Sequence, residues 1–393
     1  MGRTTVGRRA GSGLGVALAG MLLIAATYGM ARFGVGLFAP LLAAQRPELT
    51  EVLGWAAAAQ FTSYSIAAVA AARFVDRAPR AGLLLAGGTA AVGCLGVAVA
   101  SAPDMFVAAV FVGGMGGGFA SPALVPVIDA LVPRRTSATA QSLVNSGTAV
   151  GVVGAGMVAS MAASIAGAWV LMALVCAAAA VAAWYPVRAR ADPGTSRLPA
   201  AAAASSPERR HGPGHVLLVP AGAAVIAGAG SALVWTFGPL LVTEAGSVAA
   251  AQAGWLWIAL GLGGVLGVLT GTLARRMGMR AAWCFSASVL AVASLGVSIS
   301  VASGSTWVAY AGMAVFGAGY MSLSGVLILW ARSVWPQSAG AGTSWLFIAL
   351  AIGQALGSAG FGVAYGALPP VVLAALAALR VTGLAAGVSG QVP

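Results

Sequence analysis

Two short segments of this 393-residue chain recur after the same interval. The segment Phe38–Leu42 (FAPLL) returns as Phe237–Leu241 (FGPLL), and the stretch 72–77 returns as 271–276, in both cases with an offset of 199 residues. Two motifs that share one offset indicate that the structure between them is duplicated as well. The sequence therefore predicts two homologous units placed side by side.

The composition places these units in a membrane. Hydrophobic residues make up 60% of the chain, charged residues make up 7%, and the mean hydropathy is +0.95. A soluble protein of this length needs about a quarter of its residues charged, whereas a bilayer requires helices of about 20 apolar residues that close their own hydrogen bonds. We therefore predict an all-α polytopic membrane protein.

About twelve apolar segments, bounded by charges, prolines or polar turns, are long enough to cross a bilayer. The first six cover about residues 14–43, 53–73, 81–101, 105–131, 138–163 and 167–186, and the second six about 215–242, 250–273, 281–302, 306–330, 339–364 and 368–388. Arg380 interrupts the last segment, which favours a short helix with an arginine that reaches the membrane surface. The predicted organisation is a cytoplasmic tail (1–12), a six-helix half (13–187), a cytoplasmic linker (188–213) and a second six-helix half (214–393).

The basic residues predict the orientation of these helices. All 20 are arginines, and all except Arg32, Arg46 and Arg380 fall before the first segment, in the linker, or at alternate connections between segments. Arginines concentrate on the cytoplasmic side of membrane proteins, so we expect both termini in the cytoplasm. The absence of lysine and the Ala/Gly/Arg bias indicate a GC-rich bacterial genome, and hence a bacterial plasma (inner) membrane.

No group of residues indicates catalysis, a metal site or a bound cofactor. Cys94, Cys176 and Cys284 lie far apart in separate segments, which disfavours a disulfide or a metal site and favours packing roles. The net charge of +12 is explained by the membrane orientation. Nucleic acid is not an expected partner, because the arginines are not collected on one soluble face with aromatic residues between them.

A short basic motif follows the second segment of each half. The first copy, Ala72–Arg80, reads ARFVDRAPR, and the second, Gly271–Arg280, reads GTLARRMGMR. With the run Pro122–Arg135 and the Trp335-Pro336 pair, they resemble the major facilitator superfamily, whose motif reads GxLaDrxGrr. The first copy keeps the acid but loses both glycines, while the second keeps the glycines and has arginine at the acidic position. The resemblance covers nearly the whole chain and implies twelve helices in two pseudo-symmetric halves.

The resemblance does not specify a substrate. The fourth segment has no arginine near Val110–Gly114, and the glycine-rich fifth segment lacks the proline typical of drug/proton antiporters. The missing proline disfavours a multidrug exporter without excluding one, and the substrate class stays open.

The motif copies are candidate gates. A carboxylate at Asp76 can accept hydrogen bonds from a helix N-terminus and pair with arginines only while the halves are closed on the cytoplasmic side. Asp129 is a similar gate or interfacial partner rather than a proton carrier. Alternatively, the arginines merely anchor helix ends at the lipid headgroups. The candidate gating residues are Asp76, Arg77, Arg80, Asp129, Gly271, Arg275, Arg276 and Arg280.

Arg32 lies deep in the first segment, about 12 residues or roughly 18 Å before its outer end. An arginine at such a depth cannot snorkel and costs about 2.5 to 3.5 kcal/mol on insertion scales, so we expect it to face a polar cavity or a partner. Its planar guanidinium suits a carboxylate or another oxyanion. Tyr28 and Gly36, four residues to either side, place a hydrogen-bonding ring and an open notch on the same face. The alternative is a structural clamp, in which Arg32 binds backbone carbonyls or a helix end.

These features predict a secondary active or facilitative transporter for a small anionic or polar organic solute, which works by alternating access. One alternative is an exporter of drugs or hydrophobic compounds, and another is a membrane enzyme or sensor. The expected partners are the substrate, the lipid bilayer and a coupling proton or counter-substrate, and we expect a monomer. The candidate substrate-binding residues are Arg32, Tyr28, Tyr64, Gln141, Asn145, Trp235, Tyr320 and Gln354.

Overall fold

Long helices account for most of the chain. The computed structural model describes residues 3–162, 164–189, 214–369, 372–373 and 376–377, and this part of the chain contains helices and no named strand. Spans 1 to 6 are Gly13–Gln45, Leu53–Phe74, Pro79–Val99, Pro103–Leu131, Arg134–Met161 and Ile165–Ala189. Spans 7 to 11 are Gly214–Glu244, Ala250–Met277, Met279–Ser303, Thr306–Val334 and Ala339–Ala364.

These spans confirm the first eleven predicted segments to within a few residues at each end. Within the described residues, ten helices are long and apolar enough to cross a membrane. Span 2 is the additional one, since its 22 residues include polar side chains that face the protein interior. The first helix begins at Arg3, within the predicted tail. The predicted linker (188–213) and twelfth segment (about 368–388) lie almost wholly outside the described residues.

Small residues set the distances between helices. A Cβ atom added at Gly93 in span 3 would overlap the backbone of Gly113 in span 4. Helices in a bilayer gain little from the hydrophobic effect, so close backbone approach at glycine is one of their main sources of packing energy. The glycine-rich stretch of span 4 is therefore a packing surface.

The two halves meet at one end of the molecule. We call the end that carries Arg73–Arg80 and Arg275–Arg280 the arginine-rich side, and the opposite end the far side. Towards the far side, a Cβ added at Gly36 in span 1 would overlap the carbonyl oxygen of Trp235 in span 7. The same close approach joins spans 2 and 11 and spans 5 and 8, through the glycine pairs Gly54/Gly362 and Gly156/Gly254.

Polar contacts tie together the far-side ends of helices within each half. Arg46 donates to the Glu48 carboxylate at 2.9 Å and to the Ala100 carbonyl oxygen at 2.5 Å, which joins spans 1 and 3. The Arg46 hydrogen bond lowers the pKa of Glu48. Tyr365 donates to the Glu244 carboxylate, which joins the end of span 11 to that of span 7; burial and this bond raise the pKa of Tyr365. These contacts hold each half rigid near its far-side rim.

The cysteines differ from the sequence-based expectation. Cys94 in span 3 and Cys176 in span 6 are not far apart; their buried thiols lie against each other as free cysteines. The Cys176 thiol also donates to the Ala26 carbonyl oxygen of span 1 at 3.5 Å. Separation in sequence was misleading because spans 3 and 6 are neighbours in the bundle. The expected packing role holds for both residues.

We predict that Gly36→Val opens the far side. The added side chain collides with span 7, and overpacking costs about 1 to 3 kcal/mol, which shifts the balance between closed and open states by roughly 5- to 150-fold. In a chain without its native cysteines, a cysteine at the fully buried position Ala39 should then react faster with a membrane-impermeant thiol reagent.

The matched control is Gly88→Val, because a Cβ atom at Gly88 meets nothing within 4 Å. This variant should leave the labelling rate at position 39 unchanged. Equal labelling rates in Gly36→Val and in the parent chain would show that the contact between spans 1 and 7 does not close the far side.

Candidate functional site

Span 1 is broken next to Arg32. Its first helix ends at Ile24, a π-helical turn covers Ala25–Ala31, and a second helix runs over Gly34–Gln45. The Arg32 backbone N–H therefore donates to the Thr27 carbonyl oxygen, five residues back, at 3.3 Å. The sequence predicted one regular helix here. Short π-helical turns often occur at functional sites because they reorient side chains.

Four aromatic rings surround the Arg32 guanidinium. Its central carbon lies 3.9 Å from the ring centre of Tyr64, 4.4 Å from Tyr28, 5.1 Å from Phe61 and 5.4 Å from Phe33. The side chain of Arg32 is only 1% exposed. Each cation–π contact contributes about 0.5 to 2 kcal/mol, more when water is excluded. Together the rings offset much of the cost of placing a charge inside a membrane protein.

A chain of hydrogen bonds links Arg32 to the other half of the molecule. Arg32 Nη2 donates to Gln354 Oε1 at 3.1 Å, and Gln354 Nε2 donates to the Tyr320 hydroxyl at 3.1 Å. Within the first half, the Tyr28 hydroxyl donates to that of Tyr64 at 3.2 Å. The guanidinium is thus held by neutral groups from spans 1, 2, 10 and 11.

Several buried donors of Arg32 and of the tryptophans packed beyond Phe33 have no hydrogen-bond partner among the described residues. They are Nε and Nη1 of Arg32 and the indole N–H groups of Trp235 and Trp257. An unsatisfied buried donor costs about 1 to 3 kcal/mol. Among the described residues, the hydrogen bond of the Arg32 side chain goes to an amide side chain, that of Gln354, and not to a backbone carbonyl. Two donors of the guanidinium, Nε and Nη1, are therefore not used by the protein itself.

Aromatic residues of the second half complete the wall. Trp235 stacks on Phe33, with ring centres 3.8 Å apart and planes at 15°. Trp235 also makes T-shaped contacts with Trp257, Phe316 and Tyr320, with ring centres 5.1 to 5.7 Å apart. We call this group the Arg32 cluster; its members are Arg32, Tyr28, Phe33, Phe61, Tyr64, Trp235, Trp257, Phe316, Tyr320 and Gln354.

The expectation of an open notch at Gly36 is wrong. The space beside this glycine is filled by the backbone of span 7 at Trp235, the residue that occupies the position equivalent to Gly36 in the repeat. The sequence shows that residue 36 has no side chain, but it does not show which helix packs against it. Gly36 therefore serves the contact between the halves on the far side of Arg32.

The structure brings most of the predicted binding residues together. Tyr28, Tyr64, Trp235, Tyr320 and Gln354 all belong to the Arg32 cluster. Gln141 is half-buried and Asn145 is exposed, and both lie on the part of span 5 nearer the arginine-rich side, outside the contacts of the cluster.

Sequence reasoning missed four members of the cluster, namely Phe33, Phe61, Trp257 and Phe316. An aromatic residue in a membrane span gives the same signal whether it faces lipid or a buried cation. Only for Phe33 did the sequence carry a hint, because it follows Arg32 directly.

The candidate gating residues lie at the arginine-rich side. Asp76, Arg77, Asp129, Arg275, Arg276 and Arg280 are exposed, while Arg80 and Gly271 are half-buried. Arg80 donates to the Val187 carbonyl oxygen at 2.9 Å, Asp129 accepts from Ser137 at 3.4 Å, and Arg275 donates to Thr272 at 3.0 Å. Within the described residues, Asp76 has no ion-pair partner. Each of these three contacts joins residues of the same half.

Comparison with known proteins addresses the identity of the fold. No curated protein matches the chain. The chain is similar over almost its whole length to solved structures of transporters. One is a POT family transporter in complex with 5-aminolevulinic acid, at 12% identity, with 97% of this chain and 96% of that chain covered and a TM-score of 0.76. Another is the xylose transporter XylE from E. coli in an inward open conformation, at 14% identity, with 97% and 95% covered and a TM-score of 0.73. The nucleoside transporter NupG matches at 12% identity, with 96% and 97% covered and a TM-score of 0.71. At these identities the likeness shows the fold alone. The family model of the Major Facilitator Superfamily matches residues 4–358, and the chain therefore belongs to that superfamily.

Proposed function

We propose that this protein carries a small organic anion across a bacterial plasma membrane by alternating access, with Arg32 as the anchor for the anion. One observation carries the proposal. Arg32 is a buried cation that only neutral groups hold, and two of its nitrogen atoms, Nε and Nη1, have no partner. A carboxylate offers the charge and the acceptors that this guanidinium lacks.

The conformation fits a carrier that is closed on one side. The glycine contacts and the Phe33/Trp235 stack lie between Arg32 and the far side. In the proposal the anion therefore reaches the buried Arg32 from the arginine-rich side. Tyr28, four residues nearer that side, is half-buried and covers the guanidinium with its ring. We assign the arginine-rich side to the cytoplasm on the basis of its charge, which makes this conformation inward-facing.

Binding and motion are coupled in the proposal through Gln354. The Arg32–Gln354 hydrogen bond joins span 1 to span 11 and so crosses between the halves. A carboxylate forms stronger, charge-assisted bonds with a guanidinium than a neutral amide does. An anion that binds at Nε and Nη1 therefore competes with the Gln354 oxygen for the charge of the guanidinium and weakens a bond that joins the halves in this conformation.

The energy source of transport is constrained by the positions of the acids. In the described spans, Asp104 lies in the first turn of span 4, Asp129 near the end of the same span, and Glu244 at the last residue of span 7. None is placed near Arg32 to accept a proton during transport. Uniport, exchange of anions, or symport in which the substrate itself carries the proton agrees with this arrangement.

A second candidate function is export of hydrophobic compounds. The aromatic members of the Arg32 cluster favour it, because they would form apolar walls once the halves separate. Under this alternative Arg32 is a structural clamp that fixes span 1 against spans 2 and 11. The two functions differ in whether anions bind in an Arg32-dependent way.

We predict that organic anions raise the melting temperature of the purified protein and that Arg32→Ala abolishes the effect. A ligand at about 100 times its dissociation constant stabilises the folded state by about 2.7 kcal/mol. The measurement is a thermal shift with a panel of carboxylates, neutral metabolites and cationic drugs. Arg73→Ala is the matched control, because Arg73 is exposed and donates only to the Val69 carbonyl oxygen of its own helix. If anions give no shift in the wild type, or the same shift in a folded Arg32→Ala variant, the anion-carrier proposal fails and the exporter takes its place.

A second prediction concerns the gate. If Asp76 helps to close the arginine-rich side in the opposite conformation, then Asp76→Asn removes a charge-assisted contact worth about 1.5 to 3 kcal/mol from that state alone. Counterflow of the best-binding anion in proteoliposomes should slow, while the affinity of the inward-facing state is retained. Asp104→Asn, at an exposed position on the far side, should leave counterflow unchanged. Wild-type rates in Asp76→Asn would show that this loop only anchors helix ends.

A further inference from the structure

We propose that the anion is an aromatic monocarboxylate, a flat ring that bears one carboxylate group. This inference rests on the proposed function, since it names the ligand class of the Arg32 site. It follows from three properties of the Arg32 cluster, namely its charge, its unpartnered donors and its ring surfaces.

The charge of the cluster is +1. Arg32 is its single ionic residue, and the remaining members are aromatic or amide side chains. The acids and other arginines of the described chain lie at span ends or in connections. A monoanion therefore neutralises the site, whereas a dianion would bring one uncompensated negative charge into a buried region.

The unpartnered atoms are all donors. Within the cluster they comprise two guanidinium nitrogens of Arg32 and the indole nitrogens of Trp235 and Trp257. Buried indoles outside the cluster, those of Trp169, Trp283 and Trp330, are unpartnered as well, so the two Arg32 nitrogens carry the argument. An ionised carboxylate only accepts hydrogen bonds and so matches these groups. A sugar or a nucleoside also donates through several hydroxyl groups, and the unpartnered atoms of the cluster offer no acceptor for them. The donor set thus favours a carboxylate over a polyhydroxylated solute.

The ring surfaces favour a flat ligand. Phe33 belongs to the first half and Trp235 to the second, and their rings are nearly parallel at 3.8 Å. Any motion that separates the halves at this point exposes the flat apolar faces of the Phe33 and Trp235 rings. An aromatic ring that enters between them restores contact with both faces. Because the Phe33 ring also lies 5.4 Å from the Arg32 guanidinium carbon, a ring in this place brings its carboxylate to the guanidinium.

The test compares four probes that differ in one property each. Benzoate has the ring and a single charge, cyclohexanecarboxylate keeps the charge without a flat ring, benzamide keeps the ring without the charge, and phthalate adds a second charge. Dissociation constants are measured by calorimetric titration of the full-length protein in detergent. Benzoate should bind roughly 2- to 10-fold more tightly than cyclohexanecarboxylate, as expected for one additional aromatic stacking contact. Benzamide should not bind, and phthalate should bind more weakly than benzoate.

Variants of Trp235 separate a ring contact from a folding defect. Trp235→Leu should remove the preference for benzoate and leave cyclohexanecarboxylate binding nearly unchanged, whereas Trp235→Phe, which retains a ring, should restore the preference. Trp283→Leu is the matched control, since Trp283 is equally buried but packs on Trp330 in spans 9 and 10. It should leave the preference at the wild-type value.

The outcomes distinguish this inference from the proposed function. If cyclohexanecarboxylate binds as tightly as benzoate, and both need Arg32, the aromatic preference is refuted while the anion carrier stands. If phthalate binds more tightly than benzoate, the assignment of a single charge is refuted. If no carboxylate binds to the wild type, the proposed function itself fails. Retention of the benzoate preference in a folded Trp235→Leu variant would overturn the role of the Phe33/Trp235 stack.

Discussion

The interaction on which the structure depends is the burial of one guanidinium between two halves of a membrane protein. Arg32 cannot reach water or lipid headgroups, so the surrounding helices must supply its partners. The rings of Tyr28 and Tyr64 approach it most closely, and Gln354 supplies a hydrogen bond from the opposite half. These neutral groups make the charge tolerable without neutralising it. A buried charge that is tolerated but not neutralised is the property that a carrier site for an anion requires.

The close glycine contacts between the halves explain how such a site is compatible with motion. Gly36 brings the backbones of spans 1 and 7 together and thereby stacks Phe33 on Trp235. Contacts of this kind involve few interlocking side chains, so two packings of similar free energy are accessible to the same helices. The Arg46 and Tyr365 contacts, in contrast, lie within single halves and keep each half rigid. We propose that the halves therefore move as bodies around the Arg32 cluster.

Sequence reasoning identified the elements that follow from bilayer physics. The spans could be predicted because each needs about 20 apolar residues. Arg32 could be singled out because charged residues are rare so deep in a membrane span. Residues that are polar within a span, such as Tyr64 and Gln354, were also identified. What the sequence could not reveal depends on which helices are neighbours: the contact of Cys94 with Cys176 and the filled space at Gly36. The π-helical turn before Arg32 was not predicted either, since Ala25–Ala31 contains no proline to mark a break in the helix.

The most direct measurement of the central claim is the 15N resonance of Arg32 Nε in protein labelled at arginine, assigned by its loss in Arg32→Lys. This nitrogen has no hydrogen-bond partner among the described residues. Addition of benzoate should shift the Nε–H signal downfield and slow its exchange with water, while the Arg46 signal, already hydrogen-bonded to Glu48, stays in place. An unchanged Arg32 signal under conditions in which an anion is transported would contradict the account.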